Sequence, residues 1–282
     1  GADEDARAAL LESLPEMRGE FEKPKYFNYN PEICAHGRSG KRGCTRCIDV
    51  CPAEAIVSIG EKVQVNPYLC QGGGACATAC PSGAMTYAYP TAGDLLSALR
   101  RLLRDYHEAG GASPTLLFHD AASAVNLERG LAAAMPERIL PVAIEEIVSV
   151  GMDVWLACLA YVTDTVMLLT CDGTPAQIIE ALQEQVTTAQ AILGGMGYEA
   201  SRLRIVNGDQ PALASQALQA VPTGQSHPAA TFAAPVADKR GTLRLALQHL
   251  QSNAPAAKRV TALPAGMTAR TGALTEPTQM EE

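Results

Sequence analysis

Long apolar runs are missing from this chain. No stretch of about eighteen or more uncharged apolar residues occurs, so no membrane-spanning helix is expected. Aromatic residues are scarce, at 5% of 282 residues with one tryptophan, and alanine and leucine must therefore fill much of any core. Basic charge is in deficit: 22 Lys and Arg against 30 Asp and Glu leave a formal net charge of −8. That balance argues against nucleic-acid binding, which draws on a basic surface. Residues 1–20 lack a basic segment followed by an apolar one, so no secretory leader is expected there.

What the chain does have is cysteine in an unusual distribution. Seven of its nine cysteines fall between Cys34 and Pro81. The core of the span reads C-x2-C-x3-C-P (Cys44, Cys47, Cys51, Pro52) and then C-x5-C-x3-C-P (Cys70, Cys76, Cys80, Pro81). An odd count clustered in this way fits metal thiolates in a reducing compartment better than a disulfide framework, and a cytoplasmic location is the expectation. Close-spaced cysteines ending in Cys-Pro are an iron–sulfur signature, in which the cysteine before proline crosses to the other cluster. Zinc is the alternative for Cys-x2-Cys pairs, and the paired Cys-x3-Cys-Pro endings argue against it.

With that crossing rule, Cys44 and Cys47 hold cluster one, Cys80 supplies its crossed ligand, and Cys34 reaches in from a longer loop as the fourth. Cluster two takes Cys70 and Cys76, with Cys51 crossing over. It is one cysteine short: the usual spacing puts the missing ligand at Gly73, inside Gly72-Gly73-Gly74. Three readings stay open. The centre is [3Fe–4S], or [4Fe–4S] with water or another outside ligand on one iron, or damaged, engineered or empty. Cys158 or Cys171 could substitute only if the fold brought one close. The Cys34–Cys44 loop carries His36, Arg38, Lys41 and Arg42, read either as a solvated insertion or as a basic lip that orients an acidic partner.

Periodicity organises the rest. Residues 3–18 suggest a short acidic helix. Phe21 to Asn30 is aromatic and extended, with Tyr26, Phe27 and Tyr29 able to cover a cluster. Val57–Ile59 and Val63–Val65 predict a hairpin, and Met85–Tyr87 the edge of a second. Asp94 to His107 places Leu95, Leu96, Leu99, Leu102, Leu103 and Tyr106 on one helical face. Beyond Pro114, strands at Thr115–Phe118, Ile139–Ile144, Thr165–Leu169 and Leu203–Val206 alternate with helices at Ser123–Met135, Val154–Tyr161 and Ala176–Leu193. That alternation predicts a parallel sheet covered on both faces. Thr242–Leu250 reads as one more helix, and residues 251–282 show no periodicity.

Residues 26–87 resemble a bacterial dicluster ferredoxin domain, on Cys44-Thr-Arg-Cys47-Ile-Asp-Val-Cys51-Pro-Ala-Glu-Ala-Ile56 and Cys70-Gln-Gly-Gly-Gly-Ala-Cys76-Ala-Thr-Ala-Cys80-Pro-Ser-Gly-Ala84. The departures are the stretched Cys34 spacing and Gly73. The resemblance implies single-electron transfer between redox enzymes. More weakly, residues 114–206 resemble the delta (iron–sulfur) subunit of methyl-viologen-reducing hydrogenases, on Thr170-Cys171-Asp-Gly and Glu199 to Ile205. Only Cys171 stands where that family's cluster cysteines would be. The resemblance thus implies a relative that has lost its metal.

The fold class expected is an α+β dicluster ferredoxin-like domain followed by an α/β parallel-sheet domain with helices on both faces. The division expected is an acidic arm over 1–20, the ferredoxin domain over 21–90 and a linking helix over 91–113. The hydrogenase-delta-like domain follows over 114–208, and an Ala/Gln/Pro-rich extension with one helix over 209–282.

Three functions compete. The leading one is an electron-transfer protein or subunit relaying electrons to redox partners, a formate dehydrogenase or another large oxidoreductase among them, with the α/β domain as docking module. The second is an enzyme working at an open iron, or at a crevice of strand-end residues in which His119 and Cys171 are the candidate catalytic pair. Asp120, Glu145, Glu146 and Asp172 complete that crevice; their plainer reading is caps and solvated acids. The third is a redox- or iron-responsive regulatory or assembly protein.

Overall fold

The computed structural model describes residues 2–17, 19, 22–37, 43–220, 227–233 and 238–256. Arg38, Lys41 and Arg42 of the expected basic lip, and most of the aperiodic tail, lie outside the described residues.

An N-terminal mixed region comes first. Helix α1 (Ala2–Ser13) runs into a 3-10 turn at Leu14–Met17. Strand β1 (Phe27–Tyr29) follows, then the short helix α2 (Arg46–Asp49). Strands β2 (Ile56–Ile59) and β3 (Lys62–Val65) pair antiparallel across the turn at Gly60, as the hairpin pattern predicts. Helix α3 (Ala75–Ala79) precedes β4 (Met85–Tyr87). The expectation that β4 opens a second hairpin is corrected: it pairs antiparallel with β1, from the start of the region. Two segments on either side of the cysteine motifs are thereby stitched together. Phe27, Ile56, Val63, Ala84 and Met85 pack with Cys47 and Cys80 into a small core of its own.

Helix α4 (Ala92–Glu108) starts at Thr91, whose hydroxyl accepts from the Asp94 N–H in an N-cap. Its buried residues are Gly93, Leu95, Leu96, Leu99 and Leu103. Leu102 is 39% exposed, because it falls beyond the edge of that stripe. The buried stripe enters the same core as the sheet that follows, against α6.

That sheet is built from β5 (Thr115–His119), β6 (Ile139–Ala143), β7 (Thr165–Thr170) and β8 (Leu203–Asn207), all parallel in the order β6-β5-β7-β8. Continuous burial along β7 explains its run of apolar residues without alternation. Helix α5 (Ala121–Asn126) is shorter than expected. The predicted Ser123–Met135 helix gives way to a π turn at Leu127–Leu131 in which Gly130 has φ 121°, and then to a 3-10 turn. Helix α6 (Met152–Ala160) is buried almost all round, with Trp155 and Cys158 fully enclosed. Helix α7 (Ala176–Gly195) covers the same face of the sheet as α4 and α6. The other face is covered by Leu131 of the π turn and by Ala214 and Leu218 of α8 (Pro211–Gln219), a helix the alanine- and glutamine-rich composition did not disclose. Helix α9 (Lys239–Ser252) lies along α6 and buries Leu243, Ala246, Leu247 and Leu250. Helices therefore flank both faces of the four-stranded sheet. Ala75 of α3 belongs to the core of this C-terminal domain, so the cysteine region is packed directly against it.

Candidate metal centre

All nine cysteines are free thiols. Six of the seven N-terminal ones share one small core: Cys47 and Cys80 are buried in it, and Cys34, Cys51, Cys70 and Cys76 pack around it. Their mutual electrostatics centre on Cys47 and Cys76. Burial pushes the Cys47 thiol up to about 12, helped by the nearby charges of Cys80, Cys44 and Cys34. Burial likewise raises Cys76 to about 12, with Cys51, Cys47 and Cys70 as its charged neighbours. Cys47 thus has three thiols as charged neighbours and Cys76 has three, of which Cys47 is one. Thiols raised in this way are costly to ionise without cationic metal among them.

The group around Cys47 is supported from several directions. The His36 ring is buried, with Nδ1 2.8 Å from the Cys44 carbonyl and Nε2 2.7 Å from the Ser58 hydroxyl on β2. Backbone bonds from Gly43 to His36 and from Cys44 to Ala35 close the loop at its neck. His36 is thus a structural pin, not part of an exposed lip. The Tyr29 hydroxyl accepts from the Val63 N–H at 3.5 Å, and burial first, then the adjoining Cys34 thiol and the Cys47 charge, hold its pKa up at about 12. Tyr29 and Phe27 do cover these thiols, as the aromatic stretch suggested. Cys80 is the exception among the buried thiols. Burial opposes its thiolate, yet the Met85 N–H at 3.4 Å, the Ser82 hydroxyl at 3.6 Å and the Lys239 charge together bring its pKa below the ordinary value.

The group around Cys76 is bordered by the glycine run. Gly74 sits at the amino end of α3 with φ 74°, and a Cβ there would stand 2.7 Å from the Ser149 Cβ. Only glycine fits that approach between the two halves of the molecule. Gly73 differs: nothing lies within 4 Å of where its Cβ would be. The position at which a fourth cysteine would stand is open space, and neither Cys158 nor Cys171 fills it. Cys158 is fully enclosed in α6 and raised by that burial.

Among the described residues, no three His, Cys, Asp or Glu side chains are arranged to hold a single metal ion. A multi-iron core holds its thiolates at separate corners. The donor chemistry suits such a core: soft sulfur, a buried apolar surround, and N–H and O–H groups directed at Cys80 sulfur.

The strand-end crevice divides. The reversal of strand order falls between β5 and β7, where His119 ends one strand and Cys171 follows the other. No hydrogen bond joins the two among the described residues; Cys171 Sγ lies 3.6 Å from the Thr174 hydroxyl, and the buried His119 Nδ1 has no partner. A nucleophile–base pair works through such a bond, and the described residues do not show it here. Asp172 accepts from the Asn207 amide, and its N–H donates to Asp209. Asp120 caps α5 through Ser123 and also accepts from the Ile147 N–H. Glu146 lies within electrostatic reach of Asp120 and Glu145, and both glutamates lie within reach of Tyr87. Burial raises the Tyr87 phenol, and its charged neighbours are Glu145, Glu146, Tyr26 and Cys70.

Residues 42–84 match the family model described as the 4Fe-4S dicluster domain. No curated protein and no solved structure matches the chain. This stretch therefore carries the signature of an iron–sulfur, redox-type domain. Among the described residues, no helix is long and apolar enough to cross a membrane.

Proposed function

We propose that this chain is an iron–sulfur electron-transfer protein or subunit that relays single electrons between redox partners. Cys34, Cys44, Cys47 and Cys80 would hold a [4Fe–4S] cluster. Cys51, Cys70 and Cys76 would hold the second, as [3Fe–4S] or as [4Fe–4S] with an outside ligand beside Gly73. The observation that carries the reading is the packing of Cys34, Cys47, Cys51, Cys70, Cys76 and Cys80 about one small core, within and beside the stretch that matches the dicluster family. The C-terminal α/β domain serves as the docking module for a larger oxidoreductase, for which a formate dehydrogenase is one candidate. Its relation to the hydrogenase delta subunit belongs to the same proposal, as does a reducing, cytoplasmic setting. When bound, the clusters supply the electron-accepting chemistry; the chain supplies burial, spacing and hydrogen bonds to sulfur.

Anaerobic purification with iron and acid-labile sulfide analysis, followed by low-temperature EPR, tests this. A brown protein is expected, with about seven irons for one three-iron and one four-iron centre or about eight for two four-iron centres. A colourless folded protein that holds zinc or no metal would end the proposal. The open space at Gly73 favours a second reading, chemistry at an exposed iron; a cluster signal that changes when small ligands are added would support it.

A further inference from the structure

The amino end of α9 grips the last cysteine motif on both sides. Lys239 Nζ donates to the carbonyls of Ala77 at 2.9 Å and Thr78 at 2.7 Å, just before Cys80. Arg240 Nε donates to the Pro81 carbonyl at 3.2 Å, just after it. The loop then passes so close that a Cβ on Gly83, where φ is 73°, would stand 3.0 Å from the Lys239 Cβ. The ammonium is largely enclosed, and its counter-charge is the buried Asp153 carboxylate at 3.9 Å, which makes no hydrogen bond among the described residues. Both line a cavity of about 230 Å³ whose walls include Met85, Leu95, Ile144 and Val154. Apolar walls screen charge poorly, so the field of Lys239 acts strongly on its surroundings.

We propose that Lys239 and Arg240 form a basic clamp through which the C-terminal domain holds the Cys80–Pro81 segment and raises the reduction potential of the cluster that Cys80 binds. Reduction adds an electron to the cluster, and a nearby ammonium favours that more negative state. Asp153 partly offsets the ammonium, so the pair sets the potential by difference. Lys239 is a positioning residue here: it acts through the Cys80 segment. This inference rests on the electron-transfer reading above.

The test is a redox titration of anaerobically purified protein followed by EPR, with iron and sulfide quantified in each sample. Lys239→Met is expected to keep the wild-type iron content and to move one midpoint potential negative. Asp153→Asn is expected to move the same potential positive. A structural loosening alone would not give opposite signs. Unshifted potentials, or shifts of the same sign, overturn the clamp. If Lys239→Met does not fold, Asp153→Asn decides: a positive shift supports the clamp and an unchanged potential overturns it. Absence of iron and sulfide from the wild-type protein would overturn the electron-transfer reading itself, and the iron assay separates that failure from a failure of the clamp.

Discussion

His36 Nδ1 stands 2.8 Å from the carbonyl oxygen of Cys44, eight residues further along the chain. A carbonyl can only accept, so Nδ1 donates to it, and Nε2 pairs with the Ser58 hydroxyl at 2.7 Å. One imidazole therefore ties the loop between Cys34 and Cys44 to the β2–β3 hairpin. It holds Cys34 and Cys44, separated by nine intervening residues, in one local arrangement. His36→Ala is expected to leave buried polar groups without partners and to cost about 1–3 kcal/mol. Urea unfolding of the purified protein measures the loss, and iron analysis should show faster release from the cluster that Cys44 binds.

Gly73 and Gly74 are neighbours with opposite tolerances. Gly73→Cys meets open space and should leave the fold intact while replacing a three-iron EPR signal with that of a four-iron centre. Gly74→Ala forces a Cβ against Ser149 at a positive φ, and is expected to destabilise by about 1–3 kcal/mol. Urea midpoints of the two variants, compared side by side, check the contrast; equal tolerance would contradict the packing described for α3.

Glu146 gives a pH dependence of definite sign. Burial first, then the charges of Asp120 and Glu145, raises its pKa above the ordinary carboxylate value of 4.5. The folded state thus binds this proton more tightly than the unfolded state does. Its contribution to stability is present below pH 4.5 and is lost as pH rises through the raised value. Glu146→Gln should therefore be more stable than wild type at neutral pH and lose the advantage in acid. Urea midpoints at pH 4 and pH 7 (values at about those settings suffice) measure it; an advantage that grows in acid would refute the assignment.

Leu96 is 1% exposed and lies where α4 enters the core of the C-terminal domain. Leu96→Ala is expected to cost about 2–5 kcal/mol, by lost burial and the cavity left behind. Thermal or urea unfolding checks it. Leu102→Ala, on the exposed side of the same helix, should change stability by less than about 1 kcal/mol.

Cysteine spacing and apolar period by themselves determined a good deal about this protein. The tandem motifs and the gap at Gly73 can be read in the sequence because thiolate spacing on one short loop is a local property. The β2–β3 hairpin and the four parallel strands are legible for the same reason, since a strand's burial is written in its own residues. The helix from Ser123 was overextended because Gly130 is tolerated by a periodic pattern and yet breaks the turn. What only the tertiary structure decided are relations between distant segments. These are the pairing of β1 with β4, the burial of His36, the nearness of Glu145 and Glu146 to Tyr87, and the reach of Lys239 from α9 to the carbonyls before Cys80. Each depends on which surfaces meet after the chain has folded, and no spacing of neighbours along a chain encodes a contact across 161 residues.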